Sequence, residues 1–183
     1  MNNLRRENEE VFYSTSNIVS IKAEDIVFLK KQAALNSRKR CRICVHPGAT
    51  SSLHGMLIVH GIDAYVRPHR HLLKAESLHV IEGSALMLAF DEEGEITQTE
   101  ELSDLQSGKS FYYRMPKGVF HSIIITSNWL VFYESTTGPF NKKMTENASW
   151  APPDEDFSAV KSFLKKLKNE AVFFLESSQH IVS

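Results

Sequence analysis

A chain of 183 residues, 42% hydrophobic and 10% aromatic, can bury one sizeable core with appendages, whereas two full domains would be crowded. A formal net charge of −1 excludes the basic stripe of a nucleic-acid binder and favours a small-molecule partner. No stretch approaches the ~18 apolar residues of a membrane span. Residues Met1 to Glu7 lack the apolar core of a secretory signal, so a cytoplasmic protein without membrane contact is expected.

In chain order, residues 1–37 are predicted to form an N-terminal arm and helix. The first 19 residues are polar, with an apolar patch at Val11-Phe12-Tyr13 that suits an arm or an added strand. Ile26, Phe28-Leu29 and Ala33-Ala34 recur at helical spacing, and Glu24 and Asp25 occupy the first turn, which predicts an amphipathic helix from Ala23 to about Leu35. Cys41 and Cys44 spell C-x-x-C. On a strand, positions three apart face opposite sides, so ordinary burial is expected rather than a redox or zinc role.

Residues 38–140 read as strands separated by turn signals, the pattern of a closed or sandwiched antiparallel sheet that a jelly-roll barrel accommodates. The predicted strands are Met56–Val59, Tyr65–His71, Leu78–Glu82, Leu86–Phe90, Ile96–Leu102, Ser110–Met115, Phe120–Thr126 and Trp129–Ser135. Residues 141–183 are predicted to be a brace and helix packed on the barrel, within a single domain overall. Trp150-Ala151-Pro152-Pro153 is the extended brace. Asp154-Glu155-Asp156 opens a helix to about Lys168, with Phe157, Val160, Phe163-Leu164 and Leu167 in one stripe. The apolar run Ala171–Leu175 needs a cover, and the chain is expected to fray from Glu176.

The chemistry concentrates in His69-Arg70-His71, Glu76 and His121. Side chains at i and i+2 leave a strand on one face, so His69 and His71 point the same way. Leu72–Ala75 has the length of a hairpin connection, which would set Glu76 on the return strand opposite the pair. Pro116-Lys117-Gly118 is a tight-turn signal ahead of the strand that delivers His121. Neutral imidazoles plus one carboxylate suit a divalent transition metal, and His69, His71, Glu76 and His121 are the expected ligands. The same alternation carries Tyr65 and Arg67 into the barrel, where Arg67 would meet either a carboxylate such as Glu134 or an anionic ligand group. Glu134, a carboxylate in an apolar strand, is a candidate general base, and Tyr65, Arg67 and Glu134 form the candidate catalytic set. Tyr112 and Arg114 share a face and are expected at the mouth. His79 should face away from the ligands, and His46, His54, His60 and His180 receive no role.

His-x-His, four residues, Glu76, six residues, Gly83 and later Pro116-x-Gly118-x-x-His121 resemble the two metal-binding motifs of the cupin superfamily. The sequence departs from the general pattern at Gly61 and Gly108, each two residues too far ahead of its motif, and at Ile125, which replaces a common Asn. A narrower resemblance runs from about residue 36 to 153. Arg40-Cys41-Arg42-Ile43-Cys44 with His46, Met56–Val59, Tyr65–His69, Phe90-Asp91, Gly138-Pro139-Phe140 and Trp150-Ala151-Pro152 are similar to the WbuC-type cupin fold metalloproteins, associated with bacterial O-antigen gene clusters. The resemblance implies an all-β core, a cupin jelly-roll with flanking helices, and one divalent ion: Fe, Mn, Ni or Zn.

The leading expectation is an enzyme acting on a small polar or sugar-like substrate, an anionic sugar derivative included, by Lewis-acid and proton-transfer chemistry. The alternatives are an iron-dependent dioxygenase and a non-catalytic metal-dependent ligand-binding module. The apolar tail helix and the cupin resemblance favour a homodimer.

Overall fold

The computed structural model describes residues 3–179 and builds the chain as two facing β-sheets, each covered on its outer side by one helix. The first sheet holds β1 (Leu4–Arg6), β2 (Val11–Ser14), β3 (Arg40–Cys44), β4 (Leu53–Gly61), β6 (Glu76–Glu82), β9 (Tyr112–Met115) and β11 (Trp129–Thr137), in the order β1-β2-β3-β4-β11-β6-β9. The second holds β5 (His69–His71), β7 (Ser84–Phe90), β8 (Ile96–Ser103), β10 (Phe120–Ile125) and β12 (Thr145–Asn147), in the order β12-β5-β10-β7-β8. Among these pairings only β2–β3 is parallel. Val11-Phe12-Tyr13 is thus an added strand.

Strand periodicity explains the layers. On β4, Met56 and Ile58 point between the sheets while Leu57 and Val59 point out at α1 (Ala23–Leu35), where Leu29 and Ala33 are completely buried. On β7 and β10, Ala85, Met87, Ile123 and Ile125 point inward, and Leu86, Leu88, Phe90, Phe120 and Ile124 point outward. That outer face is covered by Ala148, Trp150 and Ala151 of the brace and by Leu167 and Ala171 of α2 (Phe157–Gln179). Because both faces of each sheet are covered, the central strands read as near-continuous apolar runs.

α1 occupies its predicted span, with the Asp25 carboxylate accepting from the Lys22 backbone N–H at 2.9 Å in the first turn. The second helix corrects the expectation: it begins at Phe157 and runs unbroken to Gln179, so the apolar run at 171–175 belongs to it. Ala171 covers the sheet, whereas Phe157, placed in the buried stripe by its spacing, is 67% exposed. No described helix is long and apolar enough to cross a membrane.

Gly83 makes the step from β6 in one sheet to β7 in the other with φ +87°. A Cβ there would collide with the Trp129 carbonyl and the Ser127 hydroxyl, on top of the left-handed backbone. Gly83→Ala is therefore expected to lower the unfolding free energy by about 2 kcal/mol or more, read as an earlier urea midpoint at an unchanged slope.

Candidate metal centre

β5 and β10 are neighbours in the second sheet, with His69 and His121 directly opposite each other. His71 projects from the same face as His69, two residues on. Glu76 does not arrive as expected. Its strand, β6, lies in the first sheet, so Leu72–Ala75 crosses the gap between the sheets and is not a hairpin turn. The carboxylate therefore faces the three imidazoles from the opposite wall. Thr136 Oγ1 donates to the Ala75 carbonyl at 2.9 Å, and the Gly118 N–H donates to the His71 carbonyl at 2.8 Å, anchoring the crossing and the Pro116–Gly118 turn beside the donors.

The donor atoms of His69, His71, Glu76 and His121 all lie within 4.8 Å of one another. His71 Nε2 is 2.9 Å from Glu76 Oε2, and His121 Nε2 is 3.0 Å from Glu76 Oε1. Donors about 2.1 Å from a common ion and at right angles would stand about 3.0 Å apart, so these separations fit a shared cation. The outer nitrogens agree. His69 Nδ1 donates to the Arg67 carbonyl at 2.8 Å and His121 Nδ1 to the Val119 carbonyl at 2.9 Å; carbonyls only accept, so each ring carries its proton on Nδ1 and turns the Nε2 lone pair inward. His71 Nδ1 meets the Thr145 hydroxyl of β12 at 3.1 Å. His121 Nε2 is buried with Glu76 Oε1 as its polar neighbour, so the carboxylate or a cation shared with it must answer that nitrogen.

Electrostatics support the same arrangement. Burial raises the Glu76 pKa, but without a metal hydrogen bonds from His121 and then His71 more than reverse this, hold the carboxyl far below its usual range and raise the His121 pKa; a bound cation would take the place of those inner protons. Burial lowers the His69 pKa to about 4, helped by His121, so the ring is neutral and ready to coordinate.

A cavity of about 320 Å³ opens from the donors between the sheets. Glu134 of β11, Tyr113 of β9 and His60 of β4 line it together with the metal ligands. Burial, reinforced by the Glu76 charge, raises the Glu134 pKa to about 8, against weaker opposing effects of Arg42 and Lys74. Burial also drives the Tyr113 phenol well above its ordinary value and lowers His60 to about 3.

Tyr65 and Arg67 do not join this cavity. Residues 65–68 form no strand, and the expected alternation fails there. Tyr65 Oη donates to the Pro152 carbonyl at 3.0 Å and its ring meets Phe163, while Arg67 Nη2 donates to the Ala148 carbonyl at 3.1 Å. Both pin the brace to the outside of the second sheet. The expected Arg67–Glu134 pair is absent among the described residues. On β9 the parity is also the reverse of the expectation: Tyr113 lines the main cavity, whereas Tyr112 is 51% exposed and, with Arg114, borders a separate depression. His79 faces away, as expected, against Phe111. His46, His54 and His60 line the cavity although the sequence singled out none of them, and His180 lies outside the described residues. Cys41 faces α1 and Cys44 the cavity, both as free thiols.

A family model described as a domain of unknown function (DUF6016) matches residues 21–102. No curated protein matches the chain. Among solved structures, protein SO0799 from Shewanella oneidensis aligns over 70% of this chain and 85% of its own, with 16% identity and a TM-score of 0.50. The fold is that of a cupin. A Bacillus subtilis oxalate decarboxylase mutant aligns with 24% identity over 52% of this chain at a TM-score of 0.43, and this chain spans only 24% of that one. CapF, solved with the inhibitor 3-isopropenyl-tropolone, aligns with 14% identity over 54% of this chain and 28% of its own at a TM-score of 0.44.

Proposed function

We propose that this protein is a mononuclear metal-dependent enzyme of the WbuC type that acts on a small, polar, sugar-like acid by proton transfer. The observation that carries the proposal is the convergence of His69, His71, Glu76 and His121 at one end of a cavity whose wall also presents Glu134. A divalent transition ion held by these four donors would supply Lewis acidity, with coordination positions free on the cavity side. Glu134 is the residue placed to move the proton. In the metal-free cavity its pKa of about 8 keeps it protonated at neutral pH, and a cation beside Glu76 would lower that value, which suits a group that both gives and takes a proton. The Tyr113 hydroxyl offers a neutral hydrogen-bond donor, while Met56, Ile58 and Phe132, on the same sheet as Glu134, surround the carboxyl with apolar side chains and limit water. A homodimer is proposed as the assembly; Phe157 and Phe173, 67% and 71% exposed on α2, support it.

Elemental analysis of untagged protein purified without added metal tests the centre. One equivalent of Fe, Mn, Ni or Zn is expected. Reloading metal-free protein should raise its unfolding temperature, since an ion at a thousandfold excess over Kd stabilises by about 4 kcal/mol. Failure to take up any of these ions after reconstitution would overturn the enzyme reading. Iron would direct the substrate search toward oxygen-dependent reactions, and zinc toward Lewis-acid ones.

A further inference from the structure

β3 divides its side chains between two environments. Cys41 and Ile43 are buried against α1, and Arg40, Arg42 and Cys44 line the cavity. Arg40 is committed: its Nε donates to Glu10 Oε2 at 2.9 Å and its Nη1 to the Tyr65 carbonyl at 3.3 Å. Arg42 is not. Its charge is felt at the Cys44 thiol, and no carboxylate of the described residues comes within 4.0 Å of it. Lys74, on the crossing between the sheets, also lines the cavity with no carboxylate within that distance.

The acidic groups that face them are otherwise engaged. Glu10 serves Arg38 and Arg40, and Glu76 sits among the histidines. Glu134 feels the charges of Arg42 and Lys74 without forming an ion pair with either. Arg42 is exposed, and on an outer surface such an arginine would need no further account. Arg42, however, points with the cavity-facing parity of its strand, and its charge is felt at His46, His60, Cys44 and Glu134. Two cations without counter-charges therefore overlook the same cavity as the metal donors. Such a field concentrates anions, and a guanidinium fork holds an oxyanion directionally.

We propose that Arg42, assisted by Lys74, binds an oxyanion of the ligand, carboxylate or phosphate, while another oxygen of the same ligand faces the His69/His71/Glu76/His121 centre. The ligand class follows: a small acid with a second oxygen donor. The cavity volume of about 320 Å³ lies at the lower end of ligand sites, so it suits a single sugar acid or short diacid rather than a nucleotide-linked sugar. This assignment rests on the metal-centre reading for the second contact, but not for the first.

The test is calorimetric titration of wild-type, Arg42→Gln, Arg42→Lys and Lys74→Gln proteins with malonate, phosphate and the neutral analogue malonamide. It is run on metal-loaded and metal-free samples, with metal content and unfolding temperature recorded for each. Wild type should bind an anion in preference to malonamide. Arg42→Gln should bind it at least about tenfold more weakly at unchanged metal content and unfolding temperature, with partial recovery in Arg42→Lys. A preference for malonate identifies a carboxylic acid as the source, and one for phosphate a phosphate ester; either supports the site if it depends on Arg42. Equal anion binding by wild type and Arg42→Gln, or no preference for anions over malonamide, overturns the proposal. Failure of the metal reading appears separately, as absent metal with the Arg42 dependence still readable in the metal-free titrations.

Discussion

The His71→Ala variant is expected to bind its divalent ion at least about a hundredfold more weakly than wild type while keeping its fold. His71 contributes one of four donors, stands 2.9 Å from Glu76, and has its outer nitrogen held by Thr145. Even loss of a supporting hydrogen bond behind a ligating histidine typically costs about 10- to 100-fold in affinity, and loss of the ligand itself costs more. The truncation leaves a small polar gap that opens onto the cavity, so water can fill it and the β5–β12 pairing survives. Competition titration against a chromogenic chelator reads the affinity, with circular dichroism as the fold control. Thr145→Val should fall between wild type and His71→Ala, and His79→Ala, on the opposite face of β6, should match wild type. Undiminished affinity in His71→Ala would remove the residue from the centre.

The Glu134→Gln variant is expected to lose most turnover, about a hundredfold or more, on any substrate that wild type converts, with metal content unchanged. A second expectation needs no substrate. Glu134 has a folded pKa of about 8 against an ordinary value of 4.5, so between those values the folded chain holds a proton that the unfolded chain has released. The resulting stability is fully present below about pH 4.5 and is lost as pH rises through about 8. Glutamine carries no such dependence. Urea unfolding of metal-free protein at pH 5, 7 and 9 should show Glu134→Gln gaining on wild type as pH rises, by an amount on the order of a few kcal/mol. Loading zinc should shrink the difference, because a cation beside Glu76 offsets the second cause of the raised pKa. A pH-independent difference would show that Glu134 titrates normally.

Much of this protein was legible in its sequence, for local reasons. The spacing of two in His69-Arg70-His71 is a face-sharing rule that any strand obeys, and the turn at Pro116–Gly118 leads into the strand bearing His121. The span of α1 followed from its periodicity and its acidic first turn. Cys41 and Cys44 fell on opposite faces because strand parity allows nothing else.

Tertiary structure decided what local rules cannot reach. A four-residue connection serves a hairpin or a crossing equally well, so only the packing of two sheets reveals that Glu76 meets the histidines from the opposite wall. The parity expected for Tyr65 and Arg67 requires an unbroken strand. Around Pro68, which has no N–H to donate to a ladder, the chain instead turns both side chains onto the brace. Arg42, His60, Tyr113 and Glu134 lie on four different strands far apart in sequence, and no spacing links them. They share one cavity because β3, β4, β11, β6 and β9 stand side by side in that sheet order, and long-range pairing of this kind is set by the burial of whole faces rather than by any single segment.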